Sequence, residues 1–145
     1  MATRPDPYRQ FNFRLEIDGL QIASFSEVAL GAAITEVVEY REGGDKAGVR
    51  KLPGLTHYSN VVLKRGITAS LELYQWHRMI AEGRTADARR NVAVIVSDEA
   101  GNDVARFHLR NAWPVKYEAP SFNACANDVA IETLELTHEG LERES

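Results

Sequence analysis

The sequence predicts a mainly β protein: two packed antiparallel sheets, a sandwich or open barrel, with one flanking α-helix. Three observations carry this. Phe11, Phe13, Leu15 and Ile17 alternate with Asn12, Arg14, Glu16 and Asp18, the period-two pattern of a strand with one buried face. Two β-rich runs flank Asp98-Glu99-Ala100-Gly101-Asn102, a hairpin signature with glycine available for a positive φ. One stretch, Leu71 to Ala81, carries a helical stripe of Leu73, Trp76 and Ile80. A chain of 145 residues fits a single domain, 1–145, and is long enough to bury a substantial core.

Residues 1–10 are polar, with Pro5 and Pro7, and read as an N-terminal arm. After the first strand, Asp18-Gly19 signals a turn and Leu20 to Phe25 a returning strand. Ser26 to Ala33 is ambiguous, with Gly31 marking a connection. Ile34 to Tyr40, rich in β-branched residues, is a strand, and Asn60 to Arg65 is another, so the two are candidates for a long antiparallel pair. Ser70 is placed to cap the helix, Glu72 lies in the first turn where the dipole favours a carboxylate, and Gly83 closes it. Arg84 to Arg90 is a charged connector with room for a further helical turn. Asn91 to Ser97 is a near-continuous apolar strand, and Val104 to Asn111 returns with Ala105, Phe107 and Leu109 inward. Pro114 ends that strand, since proline cannot donate to a ladder. The final strand, Asp128 to Thr137, changes apolar phase between Ile131 and Leu134, which a bulge near Glu132-Thr133 would reconcile. Residues 139–145 are acidic and read as a frayed tail. The sum is seven or eight strands and one helix.

The stretch around which this plan turns runs from Tyr40 to Gly66. Residues 41–59 read as a long charged loop, and loops of that length without structure of their own are usually functional or disordered. Arg41, Glu42, Gly43, Gly44, Asp45, Arg50 and Lys51 are followed by an apolar corner, Leu52-Pro53-Gly54-Leu55. Disordered segments lack such apolar clusters, so the loop is expected to order against a neighbouring protein surface.

Conventional chemistry is hard to find. A formal net charge of −4 argues against tight general binding to phosphate backbones. The single Cys125 excludes an internal disulfide framework and any multi-cysteine metal site. His57, His77, His108 and His138 are scattered without metal-ligand spacing. Asp98-Glu99 sits at a hairpin tip, where two solvated carboxyls have no reason to split their pKa values. Gly43-Gly44 lacks the glycine-lysine and helix of a phosphate loop. No catalytic residue, cofactor or metal is expected, and the sequence points away from an enzyme. No apolar run approaches the ~20 residues of a membrane helix and no secretory-type segment opens the chain, so synthesis as a soluble cytoplasmic protein is expected. An antiparallel sheet protein must, however, blunt, cover or pair its edge strands, and closing a barrel across subunits would remove them.

Several blocks resemble the phage tail tube family, which includes the inner tube proteins of extracellular contractile injection systems. They are Tyr40-Arg-Glu-Gly-Gly-Asp45, Arg50-Lys-Leu-Pro-Gly-Leu55, Val62-Leu-Lys-Arg-Gly66, Arg89-Arg-Asn-Val92, Asp98-Glu99 with Gly101, Asn111-Ala-Trp-Pro114, Val129-Ala-Ile-Glu132 with Leu134-Glu-Leu136, and His138-Glu-Gly-Leu141. Their order covers Tyr8 to Leu141. The corner Val28-Ala-Leu-Gly31 departs from the family pattern, its glycine being displaced. The resemblance implies a protomer that forms six-fold rings, lends strands to a shared β-barrel around a lumen, and stacks into a tube carrying DNA or protein cargo. It implies a contractile sheath, a baseplate and a tube terminator as partners, and the 41–59 region as the contact to an adjacent subunit or ring. It also implies assembly into a phage tail or an extracellular phage-tail-like particle. Glu36, Lys64 and Glu132, which alternate with apolar positions on candidate barrel strands, are the lumen-facing candidates. Within the same class the alternatives are a baseplate-proximal initiator ring and a type VI secretion tube protein. Outside it the alternative is a monomeric, small-ligand-binding β-barrel with the loop as a lid.

Overall fold

The computed structural model describes residues 11–18, 20–41, 43, 48–122 and 130–144. The N-terminal arm, Gly19, Glu42, Gly44, Asp45 and Cys125, and the start of the last predicted strand, lie outside the described residues. Among the described residues there are ten strands and two helices. These are β1 (Asn12–Ile17), β2 (Leu20–Phe25), β3 (Glu27–Ala29), β4 (Ala33–Tyr40), β5 (Arg50–Tyr58), β6 (Val61–Gly66), α1 (Glu72–Ala81), α2 (Thr85–Ala88), β7 (Arg90–Ser97), β8 (Asp103–Glu118), β9 (Ile131–Thr137) and β10 (Gly140–Arg143).

Seven strands follow one another in the order β2-β1-β7-β8-β9-β6-β3, β10 pairs with β8, and β4-β5 form a separate ribbon. The path bends into two packed faces because β8 serves both. Its first part pairs with β7 and its second with β9. At the bend Asn111 takes φ 50°, a left-handed conformation that asparagine tolerates better than most residues. Its side chain donates to Glu139 Oε2 at 2.6 Å, and its amide donates to Asn91 Oδ1 at 3.1 Å. Pro114 therefore does not end the strand. It lies opposite Leu136, and the register shifts between Pro114 and Lys116, an irregularity of the kind that accommodates a residue without an N–H.

Leu15, Phe25, Val92, Val94 and Leu109 from one face meet Val61, Leu63, Leu134 and Leu136 from the other. Each such side chain contributes about 1.5–3 kcal/mol when fully buried. Leu73 and Trp76 of α1 join this core, as the stripe predicted, and Trp76 Nε1 donates to the Ala88 carbonyl at 2.7 Å, tying α1 to α2. Leu71, not Ser70, holds the N-cap position, and Ser70 Oγ accepts from the Glu72 amide at a long 3.4 Å. The other end is closed by Gly83 at φ 82°. There Gly83 N–H reaches Ile80 O and Arg84 N–H reaches Met79 O, the paired bonds of a Schellman cap.

Strand β7 is buried on both faces. On the side away from the core, Ile95 lies between Arg14 and Arg106 in register and is wholly buried. Charged bridges cross over it. Arg14 meets Asp103 through two bonds of 2.9 Å, and Arg106 Nη1 reaches Glu16 at 3.4 Å. Long charged side chains covering apolar surface with their stems explain this burial.

Two further expectations are corrected. Strand β9 has a single phase, with Glu132, Leu134 and Leu136 all buried. Its register with β6 is unbroken from Val61↔Leu136 to Gly66↔Ile131, so the bulge is on β8 and not at Glu132-Thr133. The phase looked broken because a carboxylate occupies an inward position. The tail is not frayed over Gly140–Arg143, which pairs with β8. Arg143 lies over the Phe107 ring at 5.6 Å, and His108 Nε2 is 2.6 Å from Glu144 Oε2.

Candidate assembly hairpin

Strands β3 to β6 form one long hairpin. The pairs Glu27↔Lys64 and Ala29↔Val62 near the body share a register with Ala33↔Tyr58 and Thr35↔Thr56 farther out. A shift between Thr35 and Val37 follows, and pairing resumes from Val37↔Pro53 to Tyr40↔Arg50. The long antiparallel pair exists, but with different partners from those expected. Ala33–Tyr40 pairs with Arg50–Tyr58, while Val61–Gly66 pairs with β3 and β9. The predicted loop 41–59 is thus a strand in its second half.

Pro53 and Gly54 made that half look irregular, and both have places in the ribbon. A two-stranded ribbon leaves each strand a free edge, where proline is tolerated. A Cβ at Gly54 would lie 3.0 Å from Val38 Cγ2 and 3.3 Å from the Glu36 carbonyl, so glycine relieves a close approach at the bulge. Near the body, Gly31 at φ 76° is the pivot, and a Cβ there would fall 2.3 Å from Ser59 Oγ. The pivot is clamped by Ser59 N–H to Ala32 O at 3.0 Å and by Ala32 N–H to Ser59 Oγ at 2.7 Å.

The distal ribbon is bare. Every residue of β4 is exposed, and so is most of β5. Leu55 is 74% exposed, Val37 63% and Ile34 55%, with Val38, Tyr40, Val49 and Leu52 close behind. Isolated two-stranded hairpins are marginal in water, and contiguous exposed apolar surface marks an interaction site. Among the candidate residues, Arg50 sits opposite Tyr40, Lys51 opposite Glu39 and Leu52 opposite Val38. Arg41 and Gly43 are exposed beyond the end of β4. Glu36 lies 3.0 Å from His57 Nε2, and Thr35 shares a 2.8 Å hydrogen bond with Thr56. Charge therefore runs beside apolar surface along the ribbon. Ile34, Val37, Val38 and Tyr40 lie outside the predicted loop yet are exposed on the same ribbon. Their signal was a dense β-branched run next to a charged loop, which reads equally well as an ordinary half-buried strand.

The three lumen candidates are scattered. Glu36 is exposed on the ribbon, and Lys64 is half-buried on β6. Glu132 is overturned as a solvent-facing residue, since it is 3% exposed in the core. Arg65 Nε donates to it at 2.6 Å, Tyr117 O–H donates to its other oxygen at 2.5 Å, and the Arg65 guanidinium lies 5.9 Å over the Phe25 ring. Burial, and then the bond to Glu132, push the Tyr117 hydroxyl up to about 12. Among the described residues no cluster of three or more acidic, histidine or cysteine side chains could hold a metal, and no helix is long and apolar enough to cross a membrane.

The structure thus defines a two-faced β domain with a flanking helix and an exposed two-stranded hairpin. The family profile of the T4-like virus tail tube protein gp19 matches residues 9–142. The chain belongs to this tail tube family. Among solved structures, a chain of the anti-feeding prophage (AFP) baseplate is 24% identical, with 99% of this chain and 97% of that one covered at a TM-score of 0.73. A chain of the PVC sheath-tube complex, from an extracellular contractile injection system in its extended state, is 22% identical, with coverage of 97% and 92% and a TM-score of 0.76. Hcp1 from Flavobacterium johnsoniae is 16% identical, with coverage of 90% and 93% and a TM-score of 0.55. At these identities the likeness is one of fold. No curated protein matches the sequence.

Proposed function

We propose that this chain is the structural protomer of the inner tube of a contractile injection particle, assembling as hexameric rings that stack into a hollow tube. The observation that carries this reading is the β4-β5 ribbon, which presents Ile34, Val37, Val38, Tyr40, Leu52 and Leu55 to solvent. Burying six such side chains against neighbours would yield on the order of 10 kcal/mol at about 1.5–3 kcal/mol each. That is comparable with the roughly 4–15 kcal/mol lost in immobilising a partner. The mixed charges Arg41, Glu42, Asp45, Arg50 and Lys51 then serve register more than affinity. The tube has no catalytic role. It is made in the bacterial cytoplasm and built outward from a baseplate inside a contractile sheath, with a terminator at its far end and cargo in its lumen.

Reversing two ribbon charges tests the reading. The double variant Arg50→Glu, Lys51→Glu should keep the circular dichroism and unfolding midpoint of the parent protein. It should form no stacks in negative-stain images where the parent does. Stacks of parental length would contradict the proposed role of the ribbon.

A further inference from the structure

The hairpin pivot carries a titratable group with no part in the packing described so far. His138, between β9 and β10, is nine-tenths buried, and neither ring nitrogen finds a well-formed hydrogen bond among the described residues. A neutral imidazole tolerates such a site far better than an imidazolium does. The ring packs on Tyr58, with centroids 5.4 Å apart at 47°. Tyr58 is the last residue of β5, next to the clamp of Ser59 on Ala32 and the left-handed Gly31. His138 therefore abuts the place where the ribbon joins the body.

We propose that His138 is a proton-sensitive latch on the hairpin pivot: neutral, it packs against Tyr58 and holds the ribbon in its assembling pose; protonated, it releases the root. This rests on the reading of the ribbon as the assembly element. From β5 the titratable group facing the ring is Tyr58. From β8, Arg110 donates to the Glu139 carbonyl at 3.1 Å, and its Nη2 is 2.9 Å from the position a Cβ would take at Gly140, a cation that opposes further positive charge nearby. The carboxylates of the same segment are engaged elsewhere, Glu139 with Asn111 at 2.6 Å and Glu135 with Asn60 at 2.9 Å. Burial pushes the imidazole below its ordinary value, and backbone groups of Gly140 and Ser59 offset this only in part.

An unfolded or released chain takes up a proton near pH 6.5, whereas the buried ring does so only at lower pH. The hold on the root is therefore complete above that pH and weakens as pH falls below it. His57 and His108 lie elsewhere, each beside a carboxylate, Glu36 at 3.0 Å and Glu144 at 2.6 Å.

The test compares the parent protein with His138→Phe and His138→Gln, two neutral replacements of different packing, between pH 7.5 and 5.5. Hydrogen exchange at the Ser59 amide of the unassembled protein, corrected for the intrinsic rate, reports the root. Sedimentation of assembled material reports the tube. The parent should lose Ser59 protection and pelletable tube as the pH falls, and whichever variant folds should keep both nearly constant. A parent whose Ser59 protection does not change with pH, or variants that lose protection in parallel with it, would overturn the latch. Absence of tubes at pH 7.5 would instead count against the assembly reading, with the Ser59 exchange still deciding the latch.

Discussion

At the scale of single residues, the cluster of Arg65, Glu132 and Tyr117 shows why inward charge escapes a sequence reading. Glu132 reads as lumen-facing because polar and apolar positions alternate along its strand, yet it is buried beside a partner 67 residues away. Only the alignment of β6 with β9 sets Arg65 opposite it. Breaking a buried pair strands a charge, whereas replacing both partners removes two desolvation penalties at once. Glu132→Ala is therefore expected to destabilise the fold by about 3–5 kcal/mol, and Arg65→Met with Glu132→Leu to be neutral or stabilising by about 1–4 kcal/mol, both read by denaturant unfolding. Tyr117 gives a second expectation. Its hydroxyl, pushed up to about 12, should stay protonated in the folded protein where an exposed tyrosine ionises near pH 10. Its contribution to stability is then complete below that range and lost as pH rises through about 12. An ultraviolet phenolate titration that shows all five tyrosines ionising together near pH 10 would contradict this.

At the scale of elements, local pattern sufficed for β1, the Asp98–Asn102 turn and α1, and failed for β5, whose faces are both largely exposed. The alternation in β1, the Asp98–Asn102 turn and the Leu73-Trp76 stripe emerge as predicted because each reports a boundary between core and water. Asp98 Oδ1 accepts the amides of Ala100 and Asn102 at 3.0 and 2.9 Å, with Gly101 at φ 87°, much as turn chemistry dictates. Strand β5 was unreadable since it has no dry face in the protomer, and Pro53-Gly54 mimics a loop. Strand β10 and the passage of β8 through Pro114 depend on pairing with distant segments, which no local period records. The displaced glycine at position 31, a mere irregularity in the sequence, proves to be the pivot. Gly31→Ala combines a left-handed alanine with a Cβ only 2.3 Å from Ser59 Oγ. It should loosen the hairpin root and destabilise the protein by at least about 1–2 kcal/mol, seen as lower Ser59 protection in hydrogen exchange and an earlier unfolding transition.

At the scale of the whole molecule, the protomer is a self-sufficient core with an incomplete appendage. The body buries its apolar side chains between two faces and a helix, while the ribbon leaves Leu55, Val37 and Ile34 more than half exposed. On the proposed reading, the core folds before assembly and the ribbon gains its cover during it. The ribbon's apolar surface can therefore be altered without touching the core. The most direct measurement is electron microscopy of Val38→Asp with Leu55→Asp beside the parent protein, with thermal unfolding of both as the control. Stacked rings are expected for the parent, and for the double variant a folded protein with an unfolding midpoint close to the parental one and no stacks. Tubes of parental length from the double variant would contradict it.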